Sequence, residues 1–334
     1  MATLRDIAAR LGVSESLVSK VLRGRMGTTK ARPELIEAIR RTAEELGYAP
    51  NPAAQALVRG RQDVIGVFLR MVGQGGTAQN EALAKGILAQ ARRHNQRLLI
   101  NFCSDDEEMQ MLCSLVGRNI LDGLIVGGFV REEIFRELLR LRAEGTPIVT
   151  AMTGAAPLSP ELPNVGIDQR QVGRLAAAHL VERGCRRIGL LCSMDERTGG
   201  CRDVLGAAGL PVCDELLWPA RYNLTHRAGA EAVEHWLDGG LAFDGLVAQS
   251  DEQAVGAMNA LVNRGLRVPD DVRVVGIDDA PYCDFAIVPL TSVSHNLEAV
   301  GRQAVDMLMA AIERPSEPLK SICVEPMLHV RASS

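Results

Sequence analysis

The 334-residue sequence predicts an α/β protein with a small helical head and a larger body of two similar lobes, each built on a parallel sheet. Beyond residue 63, short apolar runs of strand length alternate with helical stretches, a pattern typical of parallel sheets that are covered on both faces. The first 49 residues show only helical patterns. The length of the chain also favours two domains over one.

The head begins with a sequence that favours a short helix. Thr3 and Asp6 have the spacing of a capping box, with aspartate in place of the usual glutamate. Apolar residues then recur with helical spacing as far as Leu11. Gly12 follows, and glycine is the residue that most readily adopts the left-handed conformation at the end of a helix. The first helix is therefore predicted to end at this glycine.

Two further helices complete the predicted head. Ser14 is a suitable N-cap for a short second helix with a narrow apolar face. A third helix is predicted over residues 33–46, because Pro33 suits its first turn and Gly47 suits its end. The inward-facing residues of the second helix are Leu17, Val18, Val21 and Leu22.

The first two helices, joined by a glycine-containing turn, match the helix-turn-helix arrangement. A short second helix with a polar outer face can enter the major groove of DNA, where base edges are recognised by hydrogen bonds. Glu15, Ser16 and Lys20 occupy outward positions and could form such bonds. Arg23 and Arg25 follow immediately, where they could contact phosphates. The alternative is an ordinary three-helix bundle with a solvated outer face.

The distribution of charge supports a polyanionic partner for the head. The whole chain has a net charge of −4, yet residues 1–61 hold eleven basic and six acidic residues. The rest of the chain is correspondingly acidic. A basic head on an acidic body suggests that the head meets a polyanion and that the body does not. By itself, the same asymmetry would also fit a solvated surface.

Residues 50–61 connect the head to the body. Two prolines flank Asn51, and the alanine-rich stretch that follows is too short to form a stable isolated helix in water. From composition alone, this segment is interpreted as a flexible linker.

The body combines predicted strands with eight predicted helices. The apolar runs "VIGVFL", "RLLINF", "DGLIVGG", "PIVTAM", "RRIGLLC", "DGLVAQ" and "DVRVVGI" are interpreted as strands. Residues 119–128 and 241–250 share an Asp-Gly-Leu motif, which suggests two lobes of similar design. Facing lobes of this kind would form a cleft for one small molecule at the carboxyl ends of their strands. The helices are predicted at about 80–94, 107–118, 131–143, 169–183, 197–208, 226–238, 251–264 and 297–313.

Cysteine spacing and hydropathy indicate a cytoplasmic protein without metal or cofactor. The eight cysteines show no CxxC pair, so we expect buried, reduced thiols rather than a zinc site or disulfides. The chain has no run of eighteen apolar residues, and its start lacks the pattern of a signal peptide. We therefore expect no membrane segment.

Two other functions fit the sequence less well. The segment "GQGGT" follows a strand and precedes a helix, as a phosphate-binding loop would. Its glycine spacing is not GxGxxG, however, and no catalytic constellation accompanies it, so we do not expect an enzyme. A transport-type binding protein would explain the body, but it would leave the basic head unexplained.

The segment "TLRDIAARLGVSESLVSKVLRG", together with "LGYAPNPAAQAL", resembles the DNA-binding head of the LacI/GalR family of bacterial repressors. Leu17 stands where the family usually has threonine, and Arg23 stands where it usually has asparagine. The resemblance implies that Glu15, Ser16 and Lys20 select the operator bases.

The same resemblance implies a function for the connecting segment. Residues 50–61 would form a hinge helix that folds on DNA when two copies pair, and Leu57 would insert into the minor groove as a wedge that kinks the DNA. The complete set of expected DNA-binding residues is Thr3, Ser14, Glu15, Ser16, Lys20, Arg23, Arg25, Asn51 and Leu57.

Residues 62–331 resemble the sugar-binding domain that these repressors share with periplasmic binding proteins. The resemblance implies three crossings of the chain between the lobes, with the last helix returning to the first lobe. The expected domains are the head over 1–49, the hinge over 50–61 and the body over 62–334. Within the body, the first lobe is expected over about 62–162 and 295–321, and the second over about 163–294 and 322–334.

Several effector-binding residues follow from the resemblance. Arg197, in "RTGGCRDVLGAAGL", matches the arginine that grips the effector in the family, and Asp278, in "VVGIDDAP", matches the effector-binding aspartate. Ser250 replaces the usual asparagine, and the family's aromatic wall falls near Leu224. Asp168 matches a further family position, although it could equally cap the next helix.

Arg70 lies at the start of a glycine-rich loop that differs from the family pattern. Together with Arg197 it would favour an anionic effector, such as an acidic or phosphorylated sugar. Alternatively, Arg70 points to solvent or forms a salt bridge between the lobes. The sequence as a whole predicts a homodimeric transcriptional repressor that binds a pseudo-palindromic operator and is controlled by a sugar or sugar derivative.

Overall fold

The computed structural model describes residues 2–22, 31–48, 61–70, 76–116, 120–128, 131–155, 157, 159–192, 195–219 and 223–334. These residues form two compact units, Met1–Gln62 and Asp63–Ser334. None of the described helices is long and apolar enough to cross a membrane.

The described part of the first unit contains α1 (Leu4–Leu11), α2 (Glu15–Leu22) and α3 (Pro33–Glu45). Both predicted caps are present. Thr3 and Asp6 form the capping box, and the Ser14 hydroxyl accepts a hydrogen bond from the Leu17 amide at 3.2 Å. Gly12 ends α1 in the left-handed conformation, with φ of 64°. The buried core of this unit consists of Ile7, Ala8, Val18, Val21, Ile39 and Ala43.

The described elements of the second unit begin in one lobe and cross to the other. The first group is β1 (Val64–Arg70), α4 (Gly76–Arg93), β2 (Arg97–Cys103), α5 (Asp106–Val116), β3 (Gly123–Gly127), α6 (Glu132–Ala143), β4 (Ile148–Gly154) and β5 (Asn164–Ile167). The second group is α7 (Gln169–Glu182), β6 (Ile188–Cys192), α8 (Asp195–Ala207), β7 (Leu217–Pro219), α9 (His226–Asp238), β8 (Gly245–Val247), α10 (Asp251–Asn263), β9 (Arg273–Ile277) and β10 (Thr291–Ser294). The last group is α11 (Leu297–Glu313), β11 (Ile322–Val324) and β12 (Met327–His329).

Two six-stranded sheets organise the two lobes. The first has the order β11-β5-β4-β3-β1-β2, and the second has the order β12-β10-β9-β8-β6-β7. All neighbouring strands pair in parallel except β10 and β12, which pair antiparallel. The expected doubly covered parallel sheets are therefore confirmed. The chain crosses between sheets after β5, after β10 and after β11, and α11 packs on the first lobe.

The expected lobe boundaries at 163 and 322 are wrong by one strand each. β5 and β11 both belong to the first sheet, where Val165 pairs with Ala151 on one side and with Ile322 on the other. The first lobe therefore extends through Ile167 and again through Val324. The sequence pattern missed this assignment because strands of three or four residues are too short to show a clear periodicity.

Close helix packing fixes the part of the second lobe that carries Arg197. A Cβ atom added to Gly173, on α7, would lie 2.0 Å from the carbonyl oxygen of Arg197, on α8. A Cβ atom added to Gly200 would lie equally close to the carbonyl oxygen of Arg170. Only glycine permits this approach, and it sets the position from which the Arg197 side chain projects.

Candidate ligand cleft and nucleic-acid-binding helix

A cavity of about 420 Å³ lies within the second unit and is lined from both lobes. The start of α4 supplies the wall from the first lobe, while the segments after β9 and before α10 supply the wall from the second lobe. The crossover between β10 and α11 closes one side. Described residues that line the cavity include Gln79, Leu224, Ser250, Asp278, Tyr282 and Asn296.

Asp278 lies at the carboxyl end of β9 and lines this cavity. Its φ of 117° is unusual for a residue with a side chain, and its amide donates to the carbonyl of Val293 at 3.0 Å. Its carboxylate accepts a hydrogen bond from the side-chain amide of Gln79 on the opposite lobe. Burial raises the pKa of the Asp278 carboxyl, and the nearby charge of Asp251 raises it further.

Asp251 forms hydrogen bonds that hold the segment following Asp278 in place. Its carboxylate accepts hydrogen bonds from the Ala280 amide at 2.7 Å and from the Ser292 hydroxyl at 2.6 Å. Burial raises the pKa of Asp251 to about 6, while these two hydrogen bonds oppose the rise. The aspartate thereby joins the loop after β9 to β10 and holds Asp278 at the cavity.

Arg197 is buried, with 5% of its surface exposed, and it does not line the cavity. Its Nε donates to the side-chain oxygen of Gln169 at 2.7 Å, and one terminal nitrogen donates to the carbonyl of Gln249 at 2.7 Å. The other terminal nitrogen lies 3.0 Å from Nε2 of His295. Burial lowers the pKa of Arg197, and the charge of Asp278 opposes that effect.

His295 connects Arg197 to Asp278. It is 3% exposed, and its Nδ1 lies 3.4 Å from Oδ1 of Asp278. Burial lowers the pKa of His295 well below its usual value, and the charge of Arg197 lowers it further, so the imidazole is neutral. Arg197 and Asp278, the expected effector-binding residues with the closest match to the family pattern, thus both lie next to His295.

The other expected effector-binding residues differ in position. Ser250 lines the cavity and also caps α10, because its hydroxyl accepts from the Gln253 amide and donates to the Leu224 carbonyl. Asp168 caps α7 through the Gln171 amide at 2.9 Å and does not line the cavity, which matches its alternative interpretation as a helix cap.

Arg70 ends β1, is half-buried and does not line the cavity. The cavity is thus lined by neither arginine of the expected pair, and the argument for an anionic effector loses its basis. The charges that do line the described wall are mainly acidic. They are Glu81, Glu252, Asp278, Asp279 and Glu298, against Lys85 and Arg302.

The two basic residues at the cavity already have acidic partners. Lys85 lies 2.9 Å from Glu81, and Arg302 lies 3.4 Å from Glu298. Each pair belongs to one turn of α4 or α11. This arrangement favours a neutral ligand over an anion, because both basic side chains of the described wall are already engaged by carboxylates.

The outer face of α2 is polar, as the sequence predicts. Glu15, Ser16 and Lys20 are exposed, whereas Val18 and Val21 are buried against the other head helices. Thr3 and Ser14 both act as helix caps. The expected DNA-binding residues Arg23, Arg25, Asn51 and Leu57 lie outside the described residues.

Three residues of the site were missed by the sequence analysis. Gln79 lies 199 positions from Asp278, and His295 lies 98 positions from Arg197, so no local motif connects them. Gln249 contributes only its backbone carbonyl. The one available signal was the placement of His295 directly before a helix that returns to the first lobe. No group of side chains suited to hold a metal ion occurs among the described residues.

Both the head and the body of the chain match known protein families. Residues 3–51 match the family described as bacterial regulatory proteins, lacI family, and residues 177–334 match the periplasmic binding protein-like domain. The HTH-type transcriptional regulator CelR of Thermobifida fusca is 32% identical, with coverage of 99% of this chain and 98% of CelR. The HTH-type transcriptional regulator GntR of Pseudomonas aeruginosa is 33% identical, with coverage of 93% and 89%.

Solved structures show the same architecture. The complex of the transcriptional regulator CelR with cellobiose has a TM-score of 0.71 and 28% identity, and it covers 100% of both chains. The lac repressor dimer bound to operator and the anti-inducer ONPF has a TM-score of 0.79 and 22% identity, with coverage of 99% and 98%, which is a likeness of fold. Since relatives above 30% identity span almost the whole chain and the family's head matches residues 3–51, this chain belongs to the LacI family of bacterial regulatory proteins and is a transcriptional regulator.

Proposed function

We propose that the protein is a repressor that binds a pseudo-palindromic operator and is controlled by a neutral sugar or sugar derivative in the cleft between its lobes. The observation that carries this proposal is Asp278, which lines an interlobe cavity of about 420 Å³ in a chain whose head also presents a polar recognition helix. Glu15, Ser16 and Lys20 are the residues proposed to contact base edges.

The chemistry of the cavity supports a neutral, hydroxyl-rich effector. Asp278 can accept hydrogen bonds from hydroxyl groups, and Ser250 adds a second polar group on the same wall. The basic residues of the described wall, Lys85 and Arg302, already have acidic partners, which disfavours a carboxylate or phosphate ligand. The CelR structure contains cellobiose, which makes cellobiose the first compound to test on this chain.

A homodimer is supported by large apolar side chains exposed on the second lobe. Phe285 is 86% exposed and Ile287 is 65% exposed. Neighbouring exposed apolar residues of this size mark protein interfaces. Sedimentation equilibrium of the wild-type chain should give a dimer, and Phe285→Asp should weaken it. A monomeric wild-type chain at micromolar concentration would contradict this part of the proposal.

The control mechanism would be thermodynamic linkage. An effector that binds one arrangement of the lobes better than another shifts the population in which two heads fit their half-sites together. The change in operator affinity can be no larger than the difference in effector affinity between the two arrangements.

We further propose that the protein acts in the cytoplasm and has no catalytic activity. Its family membership supports both statements, since a bacterial transcriptional regulator must reach the chromosome and needs no chemical step to do so.

Selection of bound duplexes from a randomised DNA pool, followed by fluorescence anisotropy, tests the proposal. We expect a two-fold symmetric motif, with affinity that falls steeply as salt rises. A thermal-shift screen of neutral sugars, sugar acids and sugar phosphates then identifies the effector, because a ligand of the folded state raises the unfolding midpoint. Binding without any sequence preference would refute the regulator function, and hits confined to anionic sugars would refute the neutral effector.

A further inference from the structure

Arg197, His295 and Asp278 form a chain of polar side chains that runs from the interior of the second lobe to the cavity. A guanidinium can only donate hydrogen bonds. Because a terminal nitrogen of Arg197 lies 3.0 Å from Nε2 of His295, Nε2 must be the acceptor and carries no proton. In a neutral imidazole the proton then lies on Nδ1, and that nitrogen faces Oδ1 of Asp278 at 3.4 Å.

Three further hydrogen bonds hold the two ends of this row of side chains in place. Arg197 is anchored by Gln169 and by the backbone of Gln249, so it cannot rotate away without losing two hydrogen bonds. At the other end, Gln79 donates to the same oxygen of Asp278 that faces His295. Oδ1 therefore accepts the hydrogen bond from Gln79 and also lies 3.4 Å from Nδ1 of His295, whereas Oδ2 accepts no hydrogen bond from the described part of the chain.

We propose that His295 is a positioning residue of the effector site, locked by Arg197 as the Nδ1–H tautomer so that it orients Asp278 with Oδ2 directed to the ligand. This inference rests on the proposed effector function of the cavity. It assigns Arg197 an indirect role in the ligand-free protein, in which the guanidinium acts on Asp278 through His295. The arginine itself has 5% of its surface exposed and does not line the cavity.

Burial of the ring fits this role. His295 is 3% exposed, and burial together with the charge of Arg197 lowers its pKa well below the usual value. A protonated ring would direct a second donor at Arg197 and lose the hydrogen bond that its Nε2 accepts from the guanidinium. The ring therefore keeps one tautomer and supplies one donor to the aspartate.

Nuclear magnetic resonance of the full-length protein with ¹⁵N-labelled histidine tests the tautomer directly. We expect a neutral ring with a protonated Nδ1 and an unprotonated Nε2, assigned by the loss of its signals in His295→Gln. The variant His94→Gln is the matched control, because His94 directly follows α4 and contacts Asp306 instead of the cavity residues. An Nε2–H tautomer or an imidazolium at neutral pH would overturn the proposal.

A second measurement follows the carboxyl signal of Asp278, labelled with ¹³C and assigned with Asp278→Asn. In His295→Leu the donor is lost, so the titration midpoint of Asp278 should rise by about one pH unit. In His295→Gln it should return close to the wild-type value, because glutamine can accept from Arg197 and donate to Asp278. Identical midpoints in all three proteins would overturn the proposal.

The two measurements still test the proposal if one of the variants does not fold. If His295→Leu does not fold, the wild-type tautomer and the His295→Gln midpoint still decide the matter, since a midpoint one unit above wild type in the glutamine variant would contradict the rescue. Neither readout requires an effector or an operator. A failed effector search would therefore count against the proposed function alone.

Discussion

The side-chain amide of Gln79, on α4 of the first lobe, donates a hydrogen bond to the carboxylate of Asp278, on the second lobe. This contact spans the cavity and involves a part-buried carboxyl group, so it connects the arrangement of the lobes to the proposed ligand position. A ligand that takes its place on Asp278 would change what holds the lobes together.

Replacing Gln79 tests this connection. Gln79→Ala should lower the free energy of unfolding by about 1–2 kcal/mol, because it removes a part-buried hydrogen bond and leaves the Asp278 carboxyl group with one donor fewer. Gln90→Ala is the matched control on the same helix, since Gln90 bonds to Asp306 within the first lobe. Urea denaturation gives the stabilities, and small-angle scattering reports the separation of the lobes. If Gln79 holds the two lobes together, the cleft should be wider in Gln79→Ala than in Gln90→Ala. A wider cleft in Gln90→Ala would contradict the interlobe role of Gln79.

Helix prediction from the sequence was accurate because every helix has several turns over which an apolar face can repeat. The predicted spans 226–238 and 297–313 coincide with α9 and α11. The strands β5, β7, β10, β11 and β12 went unpredicted, because three or four residues show little periodicity by which to distinguish a strand from a loop.

The site was predictable only in part. Asp278 was identified because it follows a strongly apolar strand within a family motif. Its neighbours Gln79 and His295 could not be identified, since Gln79 lies on the other lobe and His295 follows a short strand that the sequence did not reveal. The expected basic character of the cavity wall was also wrong. Arg70 and Arg197 were placed at the effector from their positions in the sequence, and neither side chain lines the cavity.

Lys20→Ala should relax base choice at one position of each half-site. Loss of a base contact costs about 1–3 kcal/mol against the correct base and little against the others. Arg41→Ala provides a control of similar charge change, because Arg41 is exposed on α3 and pairs with Glu45. Anisotropy with a panel of single-substituted operators gives the comparison. A uniform loss across all sequences would identify Lys20 as a phosphate contact instead.

Leu57→Ala should lower operator affinity and reduce DNA bending, with little change in effector binding. The expectation rests on the family resemblance of the segment 50–61, in which this leucine matches the wedge that unstacks a base step. Bending measured by energy transfer between dyes at the two ends of an operator duplex provides the readout. Undiminished bending in the variant would refute the wedge.

Asp251 predicts a specific dependence of stability on pH. Burial raises its pKa from 3.8 to about 6 in the folded chain. A carboxyl whose pKa is raised by folding binds its proton more tightly in the native state than in the unfolded state. This proton binding therefore contributes fully to the free energy of unfolding below pH 4, and the contribution is lost as pH rises through 6. The stability of Asp251→Asn relative to wild type should therefore increase between pH 4.5 and pH 7.

Asp203→Asn is the control for that measurement. Hydrogen bonds from Arg170 and Arg174 lower the pKa of Asp203 to about 2. The contribution of this ionised carboxylate to the free energy of unfolding is therefore present above pH 4 and is lost only as pH falls toward 2. Its stability difference from wild type should stay constant between pH 4.5 and pH 7. Parallel behaviour of the two variants in that range would show that Asp251 does not titrate there.

Gly173→Ala should disturb the effector site from a distance. The added methyl group would lie 2.0 Å from the carbonyl oxygen of Arg197, which is backbone and cannot move alone. Helices α7 and α8 must separate, at a cost of about 1–3 kcal/mol that exceeds the gain of about 0.5–1 kcal/mol usual for alanine in a helix. Because Arg197 moves with α8, its hydrogen bond to His295 should weaken as well.

Gly206→Ala separates packing from helix propensity. Gly206 lies on α8, is exposed, and has no atom within 4 Å of the added Cβ position. It should therefore raise stability by about 0.5–1 kcal/mol while leaving the signals of His295 unchanged. Urea denaturation and the histidine spectrum of both variants distinguish the two effects. If Gly173→Ala were as stable as Gly206→Ala, with an unperturbed His295 signal, close packing of α7 on α8 would not be what positions Arg197.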